Sequence, residues 1–273
     1  MKIGVIGCGH MGSSMAKQLS KSHQIAVYDK YPEKISFHKD FPQIKICNEL
    51  HEAVSQADLI LLFVKPHDLH SAAEQLKRYL NPHHILVSGL AGTSIAHLKQ
   101  VFGEKNLILR MMPNLAVEYG QGVVGFAESP HIDLDVKELI TLGFSGLGLV
   151  LWLPEDKIDA LTALASSGPA FIMIFIEAMI DAGIALGLTS TDAKQIVLTT
   201  LTGTVSLLQH TGKHPGELRW QVSSPAGTTI AGTLALEEAN LRSGIIKTFL
   251  AAYNRAVQLS SRSNEDGSSV SAE

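Results

Sequence analysis

The hexapeptide Gly7-Cys8-Gly9-His10-Met11-Gly12 constrains this chain more than any other feature. It follows at once on an apolar run, Lys2–Ile6, and opens a stretch with helical periodicity over 11–22. A G-x-G-x-x-G pattern is weak evidence alone, but between a strand and a helix it has a physical job. The first glycine permits the tight turn, the second lets a pyrophosphate approach the backbone, and the third lets the helix pack closely on the strand. The helix N-terminus offers free N–H groups and a partial positive charge to the phosphates. Gly7, Gly9, His10, Met11 and Gly12 are therefore candidate cofactor-binding residues, with the His10 side chain read as a solvent-facing turn residue rather than a catalytic group. The second strand ends at Asp29, about 20 residues beyond Gly9, where an acidic side chain accepts hydrogen bonds from the adenosine ribose. A carboxylate there favours NADH. Lys30 and Lys34 follow immediately and could neutralise a 2′-phosphate, so NADH and NADPH both stay open.

The pattern that starts at this loop continues to about residue 152. Short apolar runs at Lys2–Ile6, Ile25–Tyr28, Lys45–Cys47, Leu59–Val64, Ile85–Ser88, Leu107–Met112, Val123–Ala127 and Leu149–Trp152 read as strands. The early ones are continuous rather than alternating, as in parallel strands covered on both faces. Helical segments fall between them at 11–22, 49–56, 67–80, 94–102 and 133–145. Strand, helix, strand repeated predicts an open, mostly parallel sheet. Ligands of such sheets sit beyond the C-terminal ends of the strands. Three strand ends qualify: Val64-Lys65-Pro66, Ser88-Gly89-Leu90-Ala91-Gly92 and Met112-Pro113-Asn114. Val64, Lys65, Pro66 and Asn114 join the candidate cofactor contacts, Lys65 and Asn114 toward the nicotinamide ribose or carboxamide. Both also admit a plainer reading, Lys65 as solvated and Asn114 as a turn cap.

From Glu155 onward the strand signal stops, and helical patterns fill 155–165, 168–187, 190–211, 214–222, 227–242 and 244–259. The break at Leu153-Pro154-Glu155 predicts a domain boundary: 1–154 binds the dinucleotide, 155–259 is helical, and the polar, serine-rich 260–273 is a disordered tail. The segment over 168–187 is apolar nearly all round and needs cover on every side. A second copy of the chain is expected to supply it. Glu177 and Asp181 in its middle argue against a membrane span. Of 273 residues, 45% are apolar, 18% are charged, and the net charge is −4. No basic stripe is present, which argues against a nucleic-acid partner. The N-terminus lacks the pattern of a signal peptide. The two cysteines, Cys8 and Cys47, are too few for a disulfide framework and read as reduced core residues. A cytoplasmic enzyme of small molecules is expected. His67-x-x-His70 reads as surface, and no metal site is expected.

Two segments of the helical half combine small and hydroxyl residues beyond what packing demands. Ala165-Ser166-Ser167-Gly168-Pro169-Ala170 opens a helix. Val222-Ser223-Ser224-Pro225-Ala226-Gly227-Thr228-Thr229-Ile230 is a loop feeding a helix N-terminus, with free N–H donors and hydroxyls that suit a carboxylate. Taken with the glycine fingerprint and the VKP and MPN strand ends, the SSGPAF and SSPAGTTIAG motifs make the chain resemble pyrroline-5-carboxylate reductase over about residues 1–258. The resemblance implies an α/β fold, with an N-terminal Rossmann-type, mostly parallel sheet and a C-terminal all-helical dimerisation domain. It implies reduction of 1-pyrroline-5-carboxylate to L-proline with NADPH or NADH, and a homodimer or a decamer. Ser223, Ser224, Ala226, Gly227, Thr228 and Thr229 would bind the substrate, with Ser224 and Thr229 the candidate catalytic residues and Thr229 near the imine nitrogen. The chain departs from the family pattern at Leu115 and Ala116, where threonine and proline are usual, at Ala226, where glycine is usual, and at Trp220, where a polar residue is common. The rival readings are a β-hydroxyacid dehydrogenase-like oxidoreductase, which would want a lysine base that SSGPAF does not contain, and a non-catalytic dinucleotide-sensing module.

Overall fold

The computed structural model describes residues 1–35, 40–129 and 132–268. By internal packing the chain forms two units, Met1–Ser166 together with the stretch from Ala252 on, and Ser167–Ala251. The first unit is built on an eight-stranded sheet in the order β3-β2-β1-β4-β5-β6-β7-β8. Its strands are β1 (Lys2–Ile6), β2 (Gln24–Tyr28), β3 (Lys45–Ile46), β4 (Leu59–Leu62), β5 (Ile85–Ser88), β6 (Leu107–Pro113), β7 (Gly122–Ala127) and β8 (Gly148–Leu153). All eight fall on the apolar runs read from the sequence. Neighbours pair in parallel except β6 and β7, which are antiparallel.

The continuous apolar runs have the expected consequence. Successive side chains of a strand point to opposite faces, so Leu59 and Leu61 of β4 join one core with Ile3 and Val5 of β1, while Ile60 and Leu62 join another with Ile6. The first core is sealed by α1 (His10–Leu19) and α5 (Leu134–Phe144) through Met15, Leu19, Ile140 and Phe144. The second is sealed by α2 (Leu50–Val54), α3 (Leu69–Leu76) and α4 (Ile95–Phe102) through Leu50, Val54, Leu76 and Leu98. Cys8 and Cys47 are free thiols buried in these layers. Burial, with the Asp29 charge second, pushes the Cys8 thiol up to about 12.

By packing, the sheet's unit extends past the Leu153-Pro154-Glu155 break to Ser166. Arg110 on β6 is buried and ion-paired with Glu155 (3.3 Å) and with Asp159 (3.2 Å) of α6 (Ile158–Leu161). A buried guanidinium needs its carboxylates, so residues 155–166 stay with the sheet. The last helix, α11 (Leu241–Ser268), returns to the same place: Ser260 Oγ donates to Asp159 Oδ1 at 2.9 Å, and the Leu259 backbone lies against Gly92. The polar stretch expected to be a tail from Ser260 therefore begins as helix, and 269–273 lie outside the described residues.

The second unit holds α7 (Gly168–Ala185), α8 (Ser190–Thr211), α9 (Pro215–Gln221), α10 (Thr228–Glu238) and the first part of α11. Gly183 of α7 faces Ala193 of α8, and Phe171 meets Phe249 edge to face at 5.2 Å. Much of the apolar surface stays open in the single chain, with Ile172, Met173 and Ile174 of α7 all more than half exposed. The helical stretch Glu155–Ala185 is long and apolar enough to cross a membrane by length and composition.

Candidate functional site

The first candidate site is the cleft where β1 gives way to α1. Gly7 has φ +97°, and a Cβ there would meet the Phe63 backbone at 2.7 Å. A Cβ on Gly12 would stand 1.9 Å from the Gly7 oxygen. Both glycines are thus required by close packing. Gly9 is different, because a Cβ there would meet nothing within 4 Å. The backbone at Gly9 faces open space at the mouth of α1, which carries no side-chain cap and no acidic residue in its first turn. The first N–H groups of a helix have no partner within it, so these amides are available to an anion. Open approach at the second glycine and uncapped amides beyond it fit a dinucleotide pyrophosphate.

The adenosine end of the cleft departs in detail from the sequence expectation. Asp29 is buried, and its carboxylate is already engaged: Oδ2 accepts from the Cys8 amide at 2.7 Å and Oδ1 from the Tyr31 amide at 2.9 Å. Asp29 thereby ties the glycine loop to the end of β2. Lys30 Nζ lies 2.5 Å from Asp68 Oδ1, and Lys34 Nζ stands 4.5 Å from the centre of the Tyr31 ring. Val64 and Lys65 line the same cleft, whereas Pro66 is exposed and starts a short 3-10 turn. His10 is exposed and Met11 half-buried at the start of α1.

The Asn114 side chain is engaged within the protein. It is buried, with Nδ2 donating to the Ala165 carbonyl at 3.0 Å and Oδ1 accepting from the Val123 amide at 3.1 Å. Ser166 Oγ adds a bond to the Pro113 carbonyl at 3.0 Å. Asn114 thus clamps β6, β7 and the turn before α7 together, in keeping with the plainer of its two readings. Leu115 beside it is exposed. Sequence reasoning missed Glu118, which accepts from Ser14 Oγ (2.6 Å) and Lys17 Nζ (2.9 Å) of α1. Those bonds, the serine's first, hold its carboxyl below the ordinary carboxylate range.

The second candidate site lies in the other unit, around Ser223–Thr229. The Gly227 amide donates to the Ser224 carbonyl at 3.1 Å, Pro225 follows Ser224, and Ala226 has φ +57°. Proline second, positive φ third and a 4→1 hydrogen bond are marks of a type II turn, whose third position prefers glycine. Ala226 carries a side chain there at a cost of about 1–2 kcal/mol. This is the position where the family pattern has glycine, and it does need positive φ. Ser223 Oγ is spent on the Arg219 carbonyl at 2.7 Å. The hydroxyls of Ser224, Thr228 and Thr229 make no side-chain bond among the described residues, and neither do the amides of Thr228 and Thr229 at the uncapped start of α10. Of the expected contacts, Ser223 is the one whose hydroxyl is committed elsewhere. The hydroxyls of Ser224, Thr228 and Thr229 and the amides of Thr228 and Thr229 form an open cradle of donors suited to a carboxylate.

Known proteins match the chain along nearly all of it. A family model described as pyrroline-5-carboxylate reductase dimerisation covers residues 155–259, and one described as NADP oxidoreductase, coenzyme F420-dependent, covers residues 2–92. A pyrroline-5-carboxylate reductase of Methanosarcina acetivorans is 33% identical over 94% of this chain and 97% of its own length. A pyrroline-5-carboxylate reductase structure from Coxiella burnetii superposes with a TM-score of 0.85 at 31% identity, covering 94% of this chain and 98% of that one. The NADP-bound pyrroline carboxylate reductase of Plasmodium falciparum gives the same TM-score of 0.85 at 26% identity, covering 95% and 98%.

Proposed function

This chain belongs to the pyrroline-5-carboxylate reductase family, and from that premise we propose that it reduces 1-pyrroline-5-carboxylate to L-proline with NADPH or NADH. The observation that carries the reading is a pair of uncapped helix starts in one such chain, at Gly9 before α1 and at Gly227 before α10. One suits a pyrophosphate and the other a carboxylate.

The bound nicotinamide supplies the hydride. The chain contributes placement. The α1 amides and the open face of Gly9 hold the pyrophosphate, while Asp29 keeps the loop in shape through the Cys8 amide. The amides of Thr228 and Thr229 and the hydroxyl of Ser224 hold the substrate carboxylate, and the Thr229 hydroxyl oxygen accepts from the N–H of the protonated ring nitrogen. A protonated cyclic imine is already electrophilic, so the protein needs no strong acid beside it. Fixing two reactants in a productive pose is worth about 7–11 kcal/mol in favourable cases. Thr229→Ala is expected to lower kcat/KM about 10–100-fold. Oxidation of NADPH or NADH followed by absorbance, with 1-pyrroline-5-carboxylate added, checks both claims. No oxidation with either cofactor overturns the activity, and an unchanged kcat/KM overturns the role of Thr229.

The protein acts as a homodimer, or as a decamer made of five such dimers, in the cytoplasm, without a membrane or nucleic-acid partner. The open apolar faces of α7 and its neighbours, within the region matched by the dimerisation model, support the assembly. They also account for the apolar Glu155–Ala185 stretch, in which Glu177 and Asp181 would be costly in lipid.

A further inference from the structure

The end of the dinucleotide cleft that would hold the adenosine ribose contains an ion pair with no part in the scheme above. In the sheet, β2 and β4 flank β1. Lys30 follows β2, Asp68 follows β4, and their 2.5 Å contact bridges the two strand ends beside the loop that follows β1. Both residues line the cleft with Gly7 and Gly9.

The charges around this bridge are unequal in their freedom. The Asp29 carboxylate is buried and bonded to two backbone amides. Lys34 lies over the Tyr31 ring and has no carboxylate partner among the described residues. Lys30 has one, Asp68, whose second oxygen faces His67 at 3.6 Å. The hydrogen bond holds the Asp68 carboxyl below its ordinary range and the Lys30 ammonium above its own. Lys30 is thus the cation beside the ribose position whose charge is already answered by a residue of the chain.

We propose that Asp68 is a specificity-determining residue, competing with a ribose 2′-phosphate for Lys30 and so weakening the distinction this cleft makes between phosphorylated and unphosphorylated cofactors. The inference rests on the reading of the cleft as a dinucleotide site. A 2′-phosphate carries close to two negative charges. In the native chain it meets Lys34 directly and must draw Lys30 away from Asp68. Without Asp68 it meets both lysines at once. An adenosine ribose with a free 2′-hydroxyl gains nothing from the change.

The test is calorimetric titration of the full chain with adenosine 2′,5′-bisphosphate and with 5′-AMP. Asp68→Asn is conservative in shape, and the Asp68 side chain makes no capping bond to α3. Asp68→Asn is expected to tighten the bisphosphate about three- to fivefold, the scale of an exposed ion pair, and to leave 5′-AMP within about twofold. In a Lys30→Ala background the same substitution is expected to have no effect. An equal effect with and without Lys30 means plain charge repulsion and overturns the competition. Binding of both nucleotides with no change in their ratio overturns the proposal while leaving the cleft's assignment standing. Absence of binding by either nucleotide overturns that assignment and the proposal with it.

Discussion

Gly9 and Gly12 stand three residues apart and should respond to an added methyl group in opposite ways. At Gly12 the methyl would collide with the Gly7 carbonyl, whereas at Gly9 it would enter open space. Gly12→Ala is expected to destabilise the fold by about 2 kcal/mol, within the range for overpacking. Gly9→Ala should leave the melting temperature unchanged and weaken dinucleotide binding at least tenfold, because the methyl fills the approach of the pyrophosphate. Thermal melts and a dinucleotide titration of the two variants separate these effects, and a Gly9→Ala protein that binds normally would remove the cradle from the scheme. At this scale the sequence was legible where a residue's role depends on its neighbours along the chain, as for the glycine loop and for Ala226. It was illegible where the partner is remote. Nothing near Asn114 in sequence announces Ala165, and nothing near Lys30 announces Asp68.

Elements were read well wherever a continuous apolar run met a glycine or proline signal, because burial on both sheet faces leaves a simple trace. The break expected after α10, at residue 243 between the segments 227–242 and 244–259, falls about three residues late. The chain instead breaks at Asn240, which takes φ +56°, and Gly244 lies inside α11. Asparagine tolerates the left-handed region, so it can end a helix as glycine does. The tie between α1 and the turn after β6 also spans elements distant in sequence. Glu118 has a lowered carboxyl pKa in the folded chain, so its contribution is fully present above the ordinary value of 4.5 and is lost as pH falls from there through the folded value. Melting temperatures of the native chain and of Glu118→Gln, measured from pH 6 to pH 3, are expected to differ most at pH 6 and to converge toward pH 3. A constant difference would mean that the ionised carboxylate contributes nothing.

For the whole molecule, two units and a helical half that hides little of its own apolar surface were both visible in the sequence, since nearly featureless hydrophobicity over 168–187 leaves no face for water. What the sequence did not show is that residues 155–166 pack with the sheet, because that depends on Arg110 reaching Glu155 and Asp159. The exposed Ile174 side chain makes the assembly testable. Light scattering is expected to report a dimer or larger, and Ile174→Glu to shift the mass toward a monomer. A native chain that is monomeric at tens of micromolar would contradict the dimeric reading.

The return of α11 to the sheet has a consequence for how this protein is made. The first 166 residues carry every strand, yet their unit also includes Leu259 against Gly92 and the Ser260 bond to Asp159. In synthesis, some ninety residues of helix separate the last strand's unit from the segment that completes it, so the contacts at Asp159 and Gly92 are the last of that unit to become available.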